Sequence, residues 1–230
     1  MGSGVSPAVR LYLGLVAFSL AGTAFSRFSG LDPGPIAPVT AAVTLGTGLW
    51  AALGAWVSRS SSRIGWLIGA AIFGAASEIV GVVTGWPFGR YVYTDRWWPT
   101  IPLTPESRFP LLVPFAWLLV VGAAWACTPG RGWRRVLLAA LIATLVDGIM
   151  EPVMAGPLGY WRWLDGGPLP GDAPVLNALG WFGVAAIAGG MLEIATGKGH
   201  ELTEPERKAG RMVLGGQVVL TCGLGILLGG

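Results

Sequence analysis

Seven long apolar runs set what this chain can fold into. They lie at about Val9 to Phe25, Ile36 to Val57, Ile64 to Gly85, Pro110 to Cys127, Trp133 to Met150, Val175 to Ile194 and Met212 to Leu228. Each approaches the ~20 residues with which an α-helix crosses a ~30 Å hydrocarbon layer. Charged residues make up only 12% of the chain, about half the ~25% usual for a soluble domain, and the mean hydropathy is +0.64. The expected fold is all-α: a polytopic membrane helical bundle of about seven transmembrane helices, forming one integral membrane domain over residues 1–230. The fifth run, short and interrupted by acids, has the weakest helical signal.

Basic residues then orient the bundle. Seven spans leave Arg10, Arg59, Arg63, Arg131, Arg134, Arg135, Lys198, Arg207, Lys208 and Arg211 on one side, and Arg27, Arg90, Arg96, Arg108 and Arg162 on the other. Basic residues collect on the cytoplasmic side, so a multi-pass protein of the cell membrane is expected, with its N-terminus in the cytoplasm and its C-terminus outside. The net charge of +3 is scattered over connections rather than gathered in a stripe, which fits membrane lipid as surroundings and excludes nucleic acid as a partner. Cys127 and Cys222 fall at opposite ends of their helices, so no disulfide is expected. The single histidine, His200, has no Cys or second His nearby; no metal or haem site is expected, and no cofactor. MGSGVS formally fits a myristoylation pattern and residues 11–26 resemble a signal-peptide core, but the first run reads best as a membrane helix.

Two stretches look like copies of one another. Glu78, TGWPFGRYVY (Thr84 to Tyr93) and PLLVPFAW (Pro110 to Trp117) are matched by Asp147, GPLGYW (Gly156 to Trp161) and PVLNALGW (Pro174 to Trp181). In each an acid precedes a Pro-x-Gly turn by nine or ten residues, an aromatic follows it, and a later Pro lies seven residues before a Trp. The repeat units run over about 64–127 and 133–195, pairing helices three and four with five and six. Helices three and five cross in the same direction, so the duplication is parallel, unlike the inverted repeats of many transporters. Both long connections, Trp86 to Phe109 and Glu151 to Pro174, fall on the extracytoplasmic side, where Pro and Gly interrupt helix and Trp and Tyr suit the interface.

Glu78 and Asp147 each lie fourteen residues into their runs, roughly 21 Å along a helix, and so share a depth. Glu151 lies a turn beyond Asp147, and Pro152 marks a helix boundary that can turn its carboxylate toward a cavity mouth. A carboxyl in an apolar layer is costly to ionise, so one of a close pair can remain a proton donor at neutral pH. The plainer reading is an acid satisfied by bundle partners, and for Glu151 simple hydration. Glu193, at the end of helix six, is expected to reach water. Gly74, Gly81 and Gly85 share a face with Glu78, either for close helix packing or as a slot for a thin ligand. Trp86, Phe88, Tyr91, Tyr93, Trp97, Trp98, Trp161, Trp163 and Trp181 are belt or packing aromatics, a subset of which can also stabilise a cation. Asn177, one turn from Trp181, can hold a water or form an interhelical hydrogen bond.

Glu78 with TGWPFGRYVY, DGIMEP (Asp147 to Pro152) and NALGW (Asn177 to Trp181) resembles the carotenoid-biosynthesis membrane family that contains the CruF-type carotenoid 1',2'-hydratases and bisanhydrobacterioruberin hydratases. The resemblance covers about residues 64–195, and TG-x-PFG-x-Y-x-Y is its specific part. It implies a carbon-oxygen lyase, a hydratase without cofactor that adds water to the terminal double bond of an acyclic or monocyclic carotenoid such as lycopene or gamma-carotene. Applied to these residues, it implies Asp147 as acid and Glu78 as its partner, with Glu151 linking the site to water; the reverse assignment of acid and base satisfies the same chemistry. It implies Gly81, Trp86, Phe88, Tyr91, Tyr93, Trp161, Asn177 and Trp181 around the substrate. Two alternatives stay open. One is a membrane-bound carotenoid cyclase, and the other is a non-enzymatic lipid or carotenoid carrier or proton-coupled transporter.

Overall fold

In a computed structural model of the chain, residues 5–32, 34, 36–197 and 201–229 are described; His200, Lys198 and the MGSG start lie outside them. The apolar runs become seven helices: α1 Pro7–Ser29, α2 Ile36–Val57, α3 Ser62–Thr84, α4 Val113–Cys127, α5 Trp133–Met154, α6 Val175–Thr196 and α7 Glu204–Leu228. Local chemistry sets several of their ends. Ser6 caps α1, its hydroxyl accepting from the Val9 amide, and Pro7 opens the first turn. Gly30 and Gly85 close α1 and α3 in the left-handed conformation. Thr203 and Glu206 form a capping box that starts α7 well ahead of its apolar run.

Six of the helices are long and apolar enough to cross a membrane. Apolar side chains such as Phe18, Ile72, Leu145 and Ile187 project from their outer faces, as a bilayer solvent requires. The chain is a multi-pass membrane protein.

The short helix is the fourth, not the fifth. With 15 residues α4 spans only about 22 Å, because Pro110 is taken into a strand and the helix begins at Val113–Pro114. It is apolar on every side and buried for most of its length, in contact with α2, α3, α5, α6 and α7. A helix of that composition belongs at the centre of a bundle. The fifth is a full 22 residues and runs through Pro152, whose missing N–H and ring disturb only the last turn. The boundary expected at Glu151 therefore lies one turn further on, and Glu151 remains helical.

One end of the bundle is tied by charge. The connection after α2 meets the first turn of α7 through Arg59–Glu206 (2.7 Å), and the connection after α4 meets that after α6 through Arg131–Glu201 (3.8 Å). Glu193 is not simply hydrated: it pairs with Arg135 (3.4 Å) and accepts from the Trp125 indole (3.0 Å). Arg63 and Arg135 each lie over a tryptophan, Trp56 and Trp125, and donate to that residue's own carbonyl. Cys127 and Cys222 are both free.

At the other end the two long connections fold on each other. Four three-residue strands form there, β1 Tyr91–Tyr93, β2 Thr100–Pro102, β3 Arg108–Pro110 and β4 Trp161–Trp163. β2 and β3 make a local hairpin. β1 and β4 pair antiparallel across the two connections, with Val92 opposite Arg162 at the centre and Tyr91–Trp163 and Tyr93–Trp161 on either side. This ribbon roofs the space between α3, α4, α5 and α6.

Candidate active site

The TGWPFGRYVY segment is a device for bringing two phenols back over the helix it leaves. Thr84 turns its hydroxyl to the Val80 carbonyl and receives the Trp86 amide, while Gly85 at φ 79° ends α3. Phe88 is buried beneath the turn. Gly89 sits at φ 105°, and the room a Cβ would need there is filled by the Pro174 ring at 2.6 Å, so a side chain is excluded twice over. The chain then enters β1, whose Tyr91 and Tyr93 lie two residues apart and share one face. Both hydroxyls reach Oε2 of Glu78: Tyr91 through a short hydrogen bond and Tyr93 at 2.8 Å. Trp117 of α4 donates its indole N–H to Oε1 at 2.8 Å.

Strand β4 and helices α5 and α6 build a similar arrangement around Glu151. Trp161 and Trp163, two apart on β4, both donate to its Oε2 at 3.1 Å. Asn177 of α6 donates to its Oε1 at 3.0 Å. The same amide nitrogen reaches Oδ2 of Asp147, also at 3.0 Å, and so joins the two acids of α5. No other side-chain donor contacts Asp147 among the described residues.

Glu78, Asp147 and Glu151 are all buried, with 6%, 3% and 2% exposure, and all three line one cavity of about 50 Å³ between α3, α4, α5 and α6. Its remaining wall is aromatic and aliphatic, including Phe88, Trp97, Trp117, Val120, Met150 and Trp181. Trp117 of α4 and Trp181 of α6 stack at 3.8 Å, nearly parallel at 17°. That volume suits one or a few waters hydrogen-bonded to carboxyls.

A family model described as carotenoid biosynthesis protein matches residues 39–228. The chain belongs to this family. The family's description places it in carotenoid biosynthesis. The chain also resembles an apolipoprotein N-acyltransferase from Prochlorococcus marinus (strain MIT 9313), with 31% identity over 123 residues covering 45% of this chain and 25% of that protein. It thus spans about a quarter of that relative's length. No solved structure matches it.

In this carotenoid-biosynthesis protein, Phe88, Tyr91, Tyr93, Trp161, Asn177 and Trp181 lie around the three acids as lining residues. Trp86 and Gly81 do not. Trp86 is 67% exposed and turned away from the cavity. Gly81 is no slot, since a Cβ there would stand 2.8 Å from Phe88 and 3.0 Å from the Tyr91 hydroxyl; its hydrogen is what lets β1 approach α3. Asn177 spends its amide hydrogens on Asp147 and Glu151, forming the interhelical bond. Glu151 faces inward and is walled by two indoles, not turned toward a hydrated mouth. Trp163, one of the aromatics the sequence sets near the site, donates to Glu151, a role its i+2 relation to Trp161 could have indicated; Trp117 is missing from the sequence-derived site and could have been found from its match to Trp181.

Burial first, and then the neighbouring Glu78 carboxyl, push both Tyr91 and Tyr93 well above the ordinary tyrosine value of about 10. Above that pH the unfolded chain loses these protons while the folded protein keeps them. Their stabilising contribution is thus complete below the unfolded value and is lost as pH rises beyond it. Thermal unfolding of the detergent-solubilised protein between pH 9 and 11 is expected to show a steeper loss of stability in the wild type than in a Tyr91→Phe/Tyr93→Phe variant. Parallel curves would mean that the phenols are not held as described.

Proposed function

We propose that the protein is a carotenoid hydratase that adds water across the terminal 1',2' double bond of an acyclic end group. One observation carries the reading: three buried carboxyls converge on a water-sized cavity roofed by aromatic rings, and one of them, Asp147, meets only a single donor. A carboxyl so placed is the natural proton source, since nothing but the Asn177 amide favours its anion. In the proposed sequence, the Asp147 O–H bond breaks as the alkene π pair takes the proton and forms the C2'–H bond. A tertiary cation remains at C1'. The oxygen of a cavity water attacks it, forming the C–O bond, and the water gives a proton to the Glu78 carboxylate. Proton return from Glu78 to Asp147 restores the site, and the net change is alkene plus water to tertiary alcohol. Aromatic faces around the cavity stabilise the cation in a desolvated setting. The end group is admitted by movement of the lining rings, the cavity at rest being sized for water.

The distribution of basic residues supports a cytoplasmic N-terminus, which places the site in the extracytoplasmic half. An acyl-transfer reading drawn from the N-acyltransferase similarity has less support: no serine, cysteine or lysine lines the cavity among the described residues.

Reaction with lycopene in isotopically labelled water tests the proposal. The expected product carries labelled oxygen at position 1' and, from deuterated water, deuterium at position 2'. A cyclic isomer without labelled oxygen would establish a cyclase instead. Unchanged substrate across several acyclic carotenoids would favour a carrier.

A further inference from the structure

We infer that Glu151 stays anionic through the reaction and serves as the fixed counter-charge of the carbocation, proton traffic being confined to Asp147 and Glu78. The inference rests on the proposed chemistry for the identity of the cation, and on the hydrogen bonds for the rest. Glu151 meets two indole N–H groups on Oε2 and an amide N–H on Oε1. An indole N–H donates only, and so does an amide NH₂. A proton on Oε2 would face an indole donor and displace one of these bonds, leaving a buried N–H unsatisfied at a cost of about 1–3 kcal/mol, and a proton on Oε1 would replace charge-assisted bonds by weaker neutral ones. Glu151 is therefore built to hold charge and not to exchange protons.

Glu78 is built the other way. Its Oε2 meets two phenols, and a hydroxyl both donates and accepts. When Glu78 takes a proton on Oε2, one tyrosine can reverse its hydrogen bond and the other can remain a donor, while Trp117 keeps its bond to Oε1. No partner is lost on either side of the transfer. The two repeat units thus offer the cavity two similar carboxyls with opposite abilities. Tyrosines in β1 make one a proton acceptor, and tryptophans at the facing positions of β4 make the other a fixed charge.

A binding experiment separates this from turnover. The probes are a long polyene lipid ending in a dimethylammonium group, which mimics the cation, and its neutral isopropyl-ended counterpart, each titrated by quenching of tryptophan fluorescence. Wild-type protein is expected to prefer the cationic probe by tenfold or more, Asp147→Asn to retain most of that preference, and Glu78→Gln to lose less of it than Glu151→Gln. Glu151→Gln is expected to lower it by the largest factor of the three acid variants. Because a glutamine amide meets only donors there, that variant can fail to fold. The Trp161→Phe/Trp163→Phe variant, which leaves α5 intact, is the second arm and is expected to weaken the preference severalfold. Full preference in either folded Glu151 or Trp variant, absence of preference in the wild type, or loss of it only in Glu78→Gln would overturn the inference. Labelled-oxygen incorporation measured on the same preparation keeps the two claims apart. Cation preference without hydration rejects the hydratase and keeps the counter-charge; hydration without preference does the reverse.

Discussion

Asp147→Asn and Glu78→Gln are each expected to lower carotenoid hydration by about 100- to 10,000-fold, the range associated with loss of a general acid or base. Both changes keep shape, and the site's hydrogen bonds allow both to fold. An asparagine at 147 still offers an oxygen to Asn177. A glutamine at 78 can turn its NH₂ toward Tyr91 and Tyr93, whose hydroxyls accept, and its oxygen toward the Trp117 indole. What disappears is the exchangeable proton. The measurement is conversion of lycopene to a product heavier by one water, with protein recovery and thermal unfolding as controls for folding. Near-normal conversion by both folded variants would remove the pair from the mechanism. A loss in only one would identify the single carboxyl through which the proton moves.

Much of the frame was legible because helices in lipid need long apolar runs, and such runs are visible without neighbours. α2 has the bounds its apolar run suggested, and α6 differs only by two residues at its end. The errors fall where local rules compete. Pro152 signals a boundary, but one missing N–H in a last turn is too small a loss to stop α5. Thr203 and Glu206 start α7 in a polar segment, where an apolar criterion sees nothing. The four strands were hidden because three residues are too few to display a period of two. For the site, an acid in an apolar run announces itself, and the PFG-x-Y-x-Y spacing announces two rings on one face. The Trp117–Glu78 bond does not. It joins residues 39 apart and depends on α3 and α4 meeting at Gly74, where a Cβ would stand 2.8 Å from the Trp117 ring.

The duplication also reads differently in hydrogen bonds than in sequence. Spacing pairs Glu78 with Asp147, yet the partners pair it with Glu151: two aromatic donors at alternate positions of a roof strand, plus one donor from the following helix. The antiparallel β1–β4 register and the Trp117–Trp181 stack lie across the seam in the same sense. These matches support a two-fold relation between the units, with Asp147 as the acid that has no counterpart.

Gly180→Val is expected to disrupt the site from a distance, and Gly183→Val, one turn along the same helix, is not. At 180 a Cβ would stand 2.5 Å from the Pro87 carbonyl oxygen and 2.7 Å from Phe88. The first obstacle is backbone within the turn that aims Tyr91 and Tyr93, so it cannot swing aside as a side chain would. Overpacking of this kind costs about 1–3 kcal/mol, and for a chain of this length each kcal/mol lowers the unfolding midpoint by roughly 2–4 °C. At 183 nothing lies within 4 Å and the position is exposed on the outer face. Intrinsic helix propensity changes alike at both positions, so it cancels in the comparison. The expected result is a lower midpoint and depressed hydration for Gly180→Val beside near-wild-type behaviour for Gly183→Val. Equal effects would mean that α6 does not seat the TGWPFG turn. If Gly180→Val lost activity at an unchanged midpoint, the strain would have been relieved by shifting that turn and its two phenols off Glu78.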